Sequence, residues 1–183
     1  MRKYKYIKFA AFAIILVLFI IKVAEVNKKY PQVVYKDIEV GETSAWTEEL
    51  ELTINGARVF SSKEAVDRYG NIILNDMVDG IDFKVVEVDA TVTNKSDSNA
   101  IGYLYDLYME NLVFANGIAA EIQINTDTDK LDVDLNPKEY KDVTLCYVIY
   151  DTQFNDKEWD EIGTKSFWIS GSHYPVKKRW HFI

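Results

Sequence analysis

One stretch, FKVVEVDATVTNKSDSN from Phe83 to Asn99, constrains the fold more than any other part of the chain. Polar and apolar side chains alternate along it, with Val86, Val88, Ala90 and Val92 on one side and Glu87, Asp89, Thr91 and Thr93 on the other. This period of two predicts a half-buried strand, with one face against a core and the other in water. The residues NKSDSN then end the strand in a turn. Because a long strand with one apolar face needs a second sheet to cover it, the stretch predicts a β-sandwich.

Shorter stretches of the same kind recur along the chain. The strand candidates are residues 33–40, 50–60, 103–109, 111–115, 118–124, 142–150, 165–170 and 176–182. Asn116-Gly117 separates two of them, which is the strongest short-range signal for a β-hairpin. A short helix is predicted after Ser61, because Glu64 completes a capping box and Gly70 suits a helix end. About nine or ten strands at this spacing predict an all-β, antiparallel sandwich with one short helix.

The N-terminus differs in kind from the rest of the chain. Basic residues up to Lys8 precede an apolar run from Phe9 to Ile21, and the apolar character continues to Val26. A bilayer span takes about 20 apolar residues, and Lys22 can extend its side chain to the headgroups. The residues therefore predict a transmembrane helix that acts as an uncleaved signal anchor.

The apolar run has two alternatives to an anchor. A cleaved signal peptide needs small residues before the cut, and Ala24 has Lys22 two positions earlier, which makes a poor site but leaves cleavage open. A lipoprotein signal needs a Cys after the run, whereas the one Cys of the chain is Cys146. The basic N-terminal residues favour a single-pass protein of the cell membrane with its C-terminal domain extracellular. The predicted organisation is a cytoplasmic tail and signal anchor (1–26), a stalk (27–34) and a sandwich (35–183).

The charge of the chain is unevenly distributed. Residues 1–26 hold five Lys or Arg and one Glu, so the remainder carries 16 basic and 28 acidic residues, a net charge of −12. Such an acidic domain should repel nucleic acid and anionic membrane surfaces. The simplest role for this charge is solubility of an exported domain. With Cys146 alone, no intramolecular disulfide is possible and core packing must hold the domain together.

Three segments resemble one group of families: DIEVGETSAW (37–46), FKVVEVDATVTNKSD (83–97) and LNPKEYKDVTLCYVIYD (135–151). Together they resemble the immunoglobulin-like extracellular domains of Gram-positive lipoproteins and anchored proteins, which are related in fold to the mycobacterial immunoprotective extracellular protein. The resemblance covers roughly residues 35–170. It implies a secreted immunoglobulin-like β-sandwich and supplies no catalytic residues. The chain departs from the lipoprotein members because it lacks their lipid-bearing Cys, which favours a protein anchor.

An acid-rich segment is the best candidate for a metal site. Four aspartates and an asparagine crowd together here: Asp127, Asp129, Asp132, Asp134 and Asn136. Calcium prefers several carboxylate oxygens, so these aspartates are candidate Ca²⁺ ligands. The EF-hand pattern fails, however, because neither its Gly nor its final Glu is present. If residues 131–135 form a strand, Asp132 and Asp134 instead share a solvated strand face. No other cofactor is predicted.

Catalytic constellations are weakly represented in the sequence. The two histidines, His173 and His181, both lie near the C-terminus, and Cys146 sits in the middle of a predicted strand. Nucleophilic catalysis needs a base beside its nucleophile, and a packed thiol is inert. Acidic neighbours such as Asp160-Glu161 point oppositely on a strand, so they make poor acid–base pairs. We therefore expect no enzymatic activity.

Aromatic and basic residues supply candidate contacts with a partner. The aromatic candidates are Tyr103, Tyr105, Tyr108, Tyr147, Tyr150, Trp159, Trp168 and Trp180. Exposed Tyr and Trp contact proteins or glycans, although most such residues pack in cores. Lys177-Lys178-Arg179 is either a small basic patch or a protective edge strand. The sequence thus favours a non-enzymatic binding or accessory module at the bacterial envelope, with a protein or glycan partner. Alternatives are a calcium-binding surface module and a cell-wall hydrolase.

Overall fold

The computed structural model describes residues 2–74, 80–111, 114–125 and 131–182. The chain begins with one long helix, Arg2–Lys29 (α1). Its apolar part, Tyr6–Lys29, has 24 residues, and the most apolar stretch within it is not buried by the rest of the chain. At 1.5 Å per residue this part spans about 36 Å, more than the ~30 Å hydrocarbon core of a bilayer. The helix is long and apolar enough to be a membrane anchor. A signal sequence can have the same length and apolar character.

The helix continues beyond its predicted end. Residues 27–29 belong to α1, and the first strand starts at Val34, so only residues 30–33 of the predicted stalk lie between helix and strand. The polar residues Asn27, Lys28 and Lys29 do not stop a helix by themselves, because each keeps the backbone N–H that proline lacks. Pro31 is the first residue that disfavours continuation. The sandwich therefore follows the helix closely.

The remainder of the described chain is built mainly from strands. The strands are Val34–Ile38 (β1), Thr43–Ala45 (β2), Leu50–Ser61 (β3), Phe83–Asn94 (β4), Ala100–Tyr103 (β5), Tyr108–Glu110 (β6), Ala115–Asn116 (β7), Asp132–Leu135 (β8), Tyr140–Tyr150 (β9), Phe167–Ser170 (β10) and Val176–Phe182 (β11). The further α-helices are Ser62–Tyr69 (α2), Ala120–Asn125 (α3) and Asp156–Asp160 (α4). Short 3₁₀ turns occupy Asn71–Leu74, Leu104–Asp106, Asp151–Gln153 and Ile162–Thr164.

The strands form a β-sandwich, as predicted. One sheet has the order β2-β3-β4-β9 and the other β1-β11-β10-β6-β7, while β5 and β8 form a small two-stranded sheet. The pairs are antiparallel except for β1 and β11, which run parallel. The fully antiparallel prediction is wrong for this pair. The two strands come from opposite ends of the domain sequence, so no short hairpin imposes an antiparallel arrangement on them.

The main core lies between the two large sheets. The apolar face of β4 is at most 1% exposed at each of Val86, Val88, Ala90 and Val92. These side chains belong to one apolar cluster with residues of the opposite sheet, including Ile38, Met109, Phe167, Ile169, Trp180 and Phe182. The alternation in the sequence therefore identified the core face of β4 correctly.

The first half of β4 is also covered on its other face. A second apolar cluster lies there, formed by Ala65, Ile73, Phe83, Val85, Ile122, Cys146 and Val148. Its cover comes from the predicted short helix, α2, which Ser61 and Glu64 cap as expected. Glu87 is consequently only 1% exposed, so the prediction that it faces water is wrong. The half-buried description holds further along the strand, where the Asp89 side chain is 43% exposed.

The free edge of β9 is covered by side chains and backbone from residues 116–123. Gln123 accepts a hydrogen bond from the Cys146 amide (3.0 Å) and donates one to the Thr144 carbonyl (2.7 Å). Asn116 donates to the Val148 carbonyl (2.7 Å). Side-chain amides thus occupy hydrogen-bonding groups that an exposed edge strand would offer to another chain.

This covering explains why the predicted hairpin at Asn116-Gly117 is wrong. The Asn116 side chain is used by β9, and the residues after Gly117 turn into α3 rather than a strand. The Ala119 amide donates to the Cys146 carbonyl at 2.8 Å, which directs α3 along the edge. Hydrogen bonds to the edge of β9, which is distant in sequence, therefore override the local preference of Asn116-Gly117 for a hairpin turn. Residues 151–163 contain α4, and Trp159 is buried there.

We expect Gly102→Ala to destabilise the sandwich. A Cβ at this position of β5 would lie 2.6 Å from Cζ3 of Trp46 and 2.7 Å from Cδ1 of Leu50, both buried. Overpacking of this kind costs about 1–3 kcal/mol. The matched control is Gly56→Ala, whose Cβ would meet nothing within 4 Å. Denaturant unfolding of the full chain in detergent should separate the two variants, and equal stabilities would contradict the described packing.

Candidate binding surface

The small sheet of β5 and β8 presents an exposed cluster of tyrosines and aspartates. Its alternate residues are buried, so the residues between them point outward. Tyr103 lies opposite Asp132 in the register, and Ile101 lies opposite Asp134. Tyr105 follows in the next turn and stacks on Tyr103, with ring centroids 5.4 Å apart. We call this set, Ile101, Tyr103, Tyr105, Asp132 and Asp134, the tyrosine–aspartate patch.

The patch combines apolar surface with negative charge. Ile101, Tyr103 and Tyr105 are 51%, 45% and 50% exposed, which is high for side chains of this size. Partial loss of water raises the pKa of Tyr105, and the negative charges of Asp106 and Asp132 and the neighbouring Tyr103 add to the rise. Tyrosine faces attract cations, and carboxylates accept charge-assisted hydrogen bonds from them. The arrangement suits a partner that carries Lys or Arg.

The predicted calcium ligands are only partly described. Asp127 and Asp129 lie outside the described residues. Asp132 and Asp134 lie on the exposed face of β8, while Val133 and Leu135 between them are buried, as the strand alternative predicted. Across the described part of the chain, no three His, Cys, Asp or Glu side chains gather in a way that could hold a metal ion. The four-aspartate calcium site stays a prediction.

The predicted basic patch is divided between two faces of β11. Lys177 pairs with Glu110 at 2.6 Å, and Arg179 pairs with Asp37 at 2.7 Å. Lys178 points the other way and donates to the Ala45 carbonyl. The edge-strand interpretation is also wrong, because β11 lies between β1 and β10.

Most of the candidate aromatic residues are structural. Trp180 and Tyr147 are fully buried and donate hydrogen bonds to the carbonyls of Leu52 (3.1 Å) and Leu107 (3.2 Å). Trp168 is half-buried and packs against Arg179, whose guanidinium carbon lies 4.9 Å from the ring centroid. Three of the predicted eight remain exposed, namely Tyr103, Tyr105 and Tyr108. The first two of these belong to the tyrosine–aspartate patch.

The candidate catalytic residues have ordinary surroundings. His173 is exposed beside Tyr108, and Nδ1 of His181 lies 3.5 Å from the Glu39 carboxylate. Cys146 is 1% exposed, as expected for a packed strand residue. Burial raises the pKa of its thiol to about 12, so the neutral form dominates at neutral pH.

A family comparison identifies the domain. A family described as a domain of unknown function, DUF5028, matches residues 30–178. The chain belongs to this family. The match starts directly after α1 and includes all of the strands up to the first part of β11. The sandwich is therefore the DUF5028 domain, and the long apolar helix precedes it.

Several solved structures are similar to this DUF5028 chain. An uncharacterised β-sandwich protein from Clostridium difficile is 13% identical, with 83% of this chain and 97% of that chain covered and a TM-score of 0.47. A conserved hypothetical protein from Bacillus anthracis is 16% identical, with coverages of 77% and 93% and a TM-score of 0.44. A candidate lipoprotein from Bacillus subtilis is 9% identical, with coverages of 76% and 38% and a TM-score of 0.47. No curated protein matches the chain. The family assignment therefore rests on the DUF5028 match.

The DUF5028 sandwich also holds a charge cluster around the buried Glu87 that sequence reasoning missed. The Glu87 carboxylate accepts hydrogen bonds from Nε of Arg68 (2.5 Å) and from the Tyr69 hydroxyl, and Arg58 lies 3.1 Å away. Burial raises the pKa of Tyr69, and its bond to Glu87 adds to the rise. Arg68 and Tyr69 end α2, so this cluster fastens the helix to the sheet. The sequence did offer a signal for this cluster. Arg68 stands in the last turn of the predicted helix, and the acidic Glu87 stands in the strand that follows it.

We expect Arg68→Met to destabilise the domain by about 2–3 kcal/mol. Glu87 is buried, so removing the Arg68 guanidinium leaves its carboxylate poorly compensated. The loss is limited because Arg68 itself is half-exposed and Arg58 still reaches Glu87. Asp89→Asn is the matched control, because the exposed Arg58–Asp89 pair should contribute less than about 1 kcal/mol. Both variants are compared by denaturant unfolding of the full chain. A loss for Arg68→Met no larger than that of the control would show that the cluster does not hold α2.

Proposed function

We propose that this DUF5028 chain is a single-pass membrane protein of the bacterial envelope. Its β-sandwich lies outside the cytoplasm, catalyses no reaction and binds a basic segment of another envelope protein. The observation that carries the proposal is the tyrosine–aspartate patch, an exposed apolar surface joined to carboxylates. An immunoglobulin-like relationship and a Gram-positive surface, which the sequence resemblance implies, are part of the same proposal.

Membrane attachment is supported by α1. The helix is long enough to cross the bilayer, and residues 2–8 place four basic side chains before its apolar run. Positive charge beside a span favours the cytoplasmic side. The sandwich follows the span and is therefore assigned to the other side of the membrane.

The non-enzymatic part of the proposal is supported by the chemistry of the candidate nucleophile. Cys146 is shielded by the second apolar cluster, and its raised pKa disfavours the thiolate that would attack a substrate. Its near neighbour is the Tyr69 hydroxyl, with 3.9 Å between oxygen and sulfur, rather than a histidine. The environment favours a packing role for this residue.

A basic protein segment is the partner that the patch fits best. Two stacked tyrosine rings offer faces to Lys or Arg, and Asp132 and Asp134 offer acceptors beside them. The charge of the sandwich as a whole is also negative, which would speed the approach of a cationic partner. A neutral glycan could stack on the tyrosines but would leave the two carboxylates without a charged partner.

Capture from envelope extracts tests this proposal. We expect the full chain in detergent to retain a specific protein that Tyr103→Ala/Tyr105→Ala retains at least about tenfold less, since exposed tyrosines often dominate binding. Tyr140→Ala is the matched control, because Tyr140 is 67% exposed on β9 and lies outside the patch. The retained protein should be released by salt, as charged contacts are screened.

Three outcomes would contradict parts of the proposal. Equal capture by all variants would remove the patch from the interaction, and no specific capture would remove the binding function. Capture that survives protease treatment of the extract would identify a glycan instead of a protein. Repeating the capture in EDTA separates the calcium alternative, in which chelation alone abolishes binding.

A further inference from the structure

The sandwich is tied closely to the end of the apolar helix. Residues 30–33 are the link between α1 and β1. Five backbone steps of at most about 3.6 Å place the Cα of Val34 within about 18 Å of the Cα of Lys29. Because α1 is longer than the hydrocarbon core, its end at Lys29 reaches the headgroup layer. The end of the sandwich where β1 begins therefore lies at the membrane surface, if the proposed anchor holds.

Exposed apolar side chains gather at this end. Val34 is the register partner of Val176, and its amide donates to the Pro175 carbonyl at 3.0 Å. Val34 is 61% exposed, Val176 39% and the adjacent Tyr174 49%. Tyr30 in the link is 58% exposed. Tyrosine is enriched where bilayers meet water, because its ring is apolar and its hydroxyl is polar.

Lysines from three separate elements converge beside these residues. Lys36 of β1 lies 3.5 Å from the Ser44 hydroxyl, and Lys178 of β11 donates to the Ala45 carbonyl. The Lys95 amide donates to the Glu49 carbonyl at 2.9 Å, in the connection that follows β2. Burial lowers the pKa of Lys178, and the positive charges of Lys36 and Lys95 lower it further. The positive charges of Lys36 and Lys95 thus each lie close enough to the Lys178 ammonium group to repel it.

The local charge at this end differs from the charge of the whole domain. Lys28 and Lys29 at the end of α1 add two positive charges only a few residues before β1. Among the described residues, the nearby carboxylates that form no ion pair of their own are Glu42, which shares a hollow with Lys36, and Glu48 and Glu49. Asp37 is paired with Arg179, and Asp97 is paired with Lys138 at 2.9 Å. Charges act over about 8 Å at physiological salt. The net charge of −12 describes the whole domain, so it does not determine whether this end is attracted to an anionic surface.

We propose that this end of the sandwich is a membrane-contact surface. Lys36, Lys95 and Lys178 contact the phosphate headgroups of anionic lipids in the bilayer that holds α1, and Tyr30, Val34, Tyr174 and Val176 lie in the interfacial layer. The contact rests on the proposed anchor and extends it, because it fixes the orientation of the sandwich on the membrane. It differs from the expectation that the acidic domain keeps away from anionic membranes, and an experiment in lipid nanodiscs decides between the two.

A fluorescent reporter in lipid nanodiscs tests the contact. The full chain carries His173→Cys labelled with an environment-sensitive dye, while Cys146 stays buried and unlabelled. Discs contain phosphatidylcholine alone or phosphatidylcholine with phosphatidylglycerol. The test variant is Lys36→Gln/Lys95→Gln, which removes two exposed lysines. The matched control is Lys63→Gln/Lys157→Gln, whose exposed lysines lie on α2 and α4 at the opposite end of the sandwich.

We expect a shift to shorter emission wavelength in the anionic discs, and its loss in about 1 M salt, where the screening length falls to ~3 Å. Each lysine near an anionic surface should change the ratio of docked to undocked sandwich by about fivefold. The test variant should therefore lose most of the shift, and the control should keep it. Identical emission in both lipids, or equal loss in test and control, would overturn the contact. Failure to co-elute with discs would instead overturn the anchor, and the contact with it.

Discussion

The double burial of β4 is the constraint on which the rest of the domain depends. The strand pairs with β3 on one side and β9 on the other along almost its whole length. One face meets the five-stranded sheet, and the first half of the other face meets α2 and the second apolar cluster. Glu87 lies on that second face, so the elements that bury it must also supply positively charged side chains to compensate its carboxylate. Arg68 and Arg58 meet this requirement, and α2 is thereby held on the sheet.

Local patterns predicted those parts of the fold that local chemistry determines. The alternation from Val86 to Val92, the cap at Ser61 and the apolar run of α1 all report on their own residues, and the structure contains each of them. The failures involve distant partners. The burial of Glu87 depends on Arg68 of α2, the helix after Gly117 depends on the edge of β9, and the parallel pair depends on both ends of the domain.

The tyrosine–aspartate patch was likewise predictable only where residues close in sequence determine it. A period of two was enough to predict that Asp132 and Asp134 share an exposed face, which the structure confirms. It could not indicate that Tyr103 would lie opposite Asp132, because that register joins separate segments. The basic tripeptide was misjudged for a related reason. Successive residues of a strand point to opposite faces, so Lys178 joins Lys36 and Lys95 while its neighbours form ion pairs on the outer face.

Thiol labelling of intact cells most directly tests whether the sandwich is an anchored extracytoplasmic domain. Tyr140→Cys places a thiol at an exposed position, whereas the native Cys146 is buried and serves as a silent internal control. The full chain is expressed in a bacterium with a single membrane and exposed to a membrane-impermeant maleimide. An extracytoplasmic sandwich predicts labelling of intact cells at Tyr140→Cys and none in the parent chain. Labelling that requires cell lysis would contradict it.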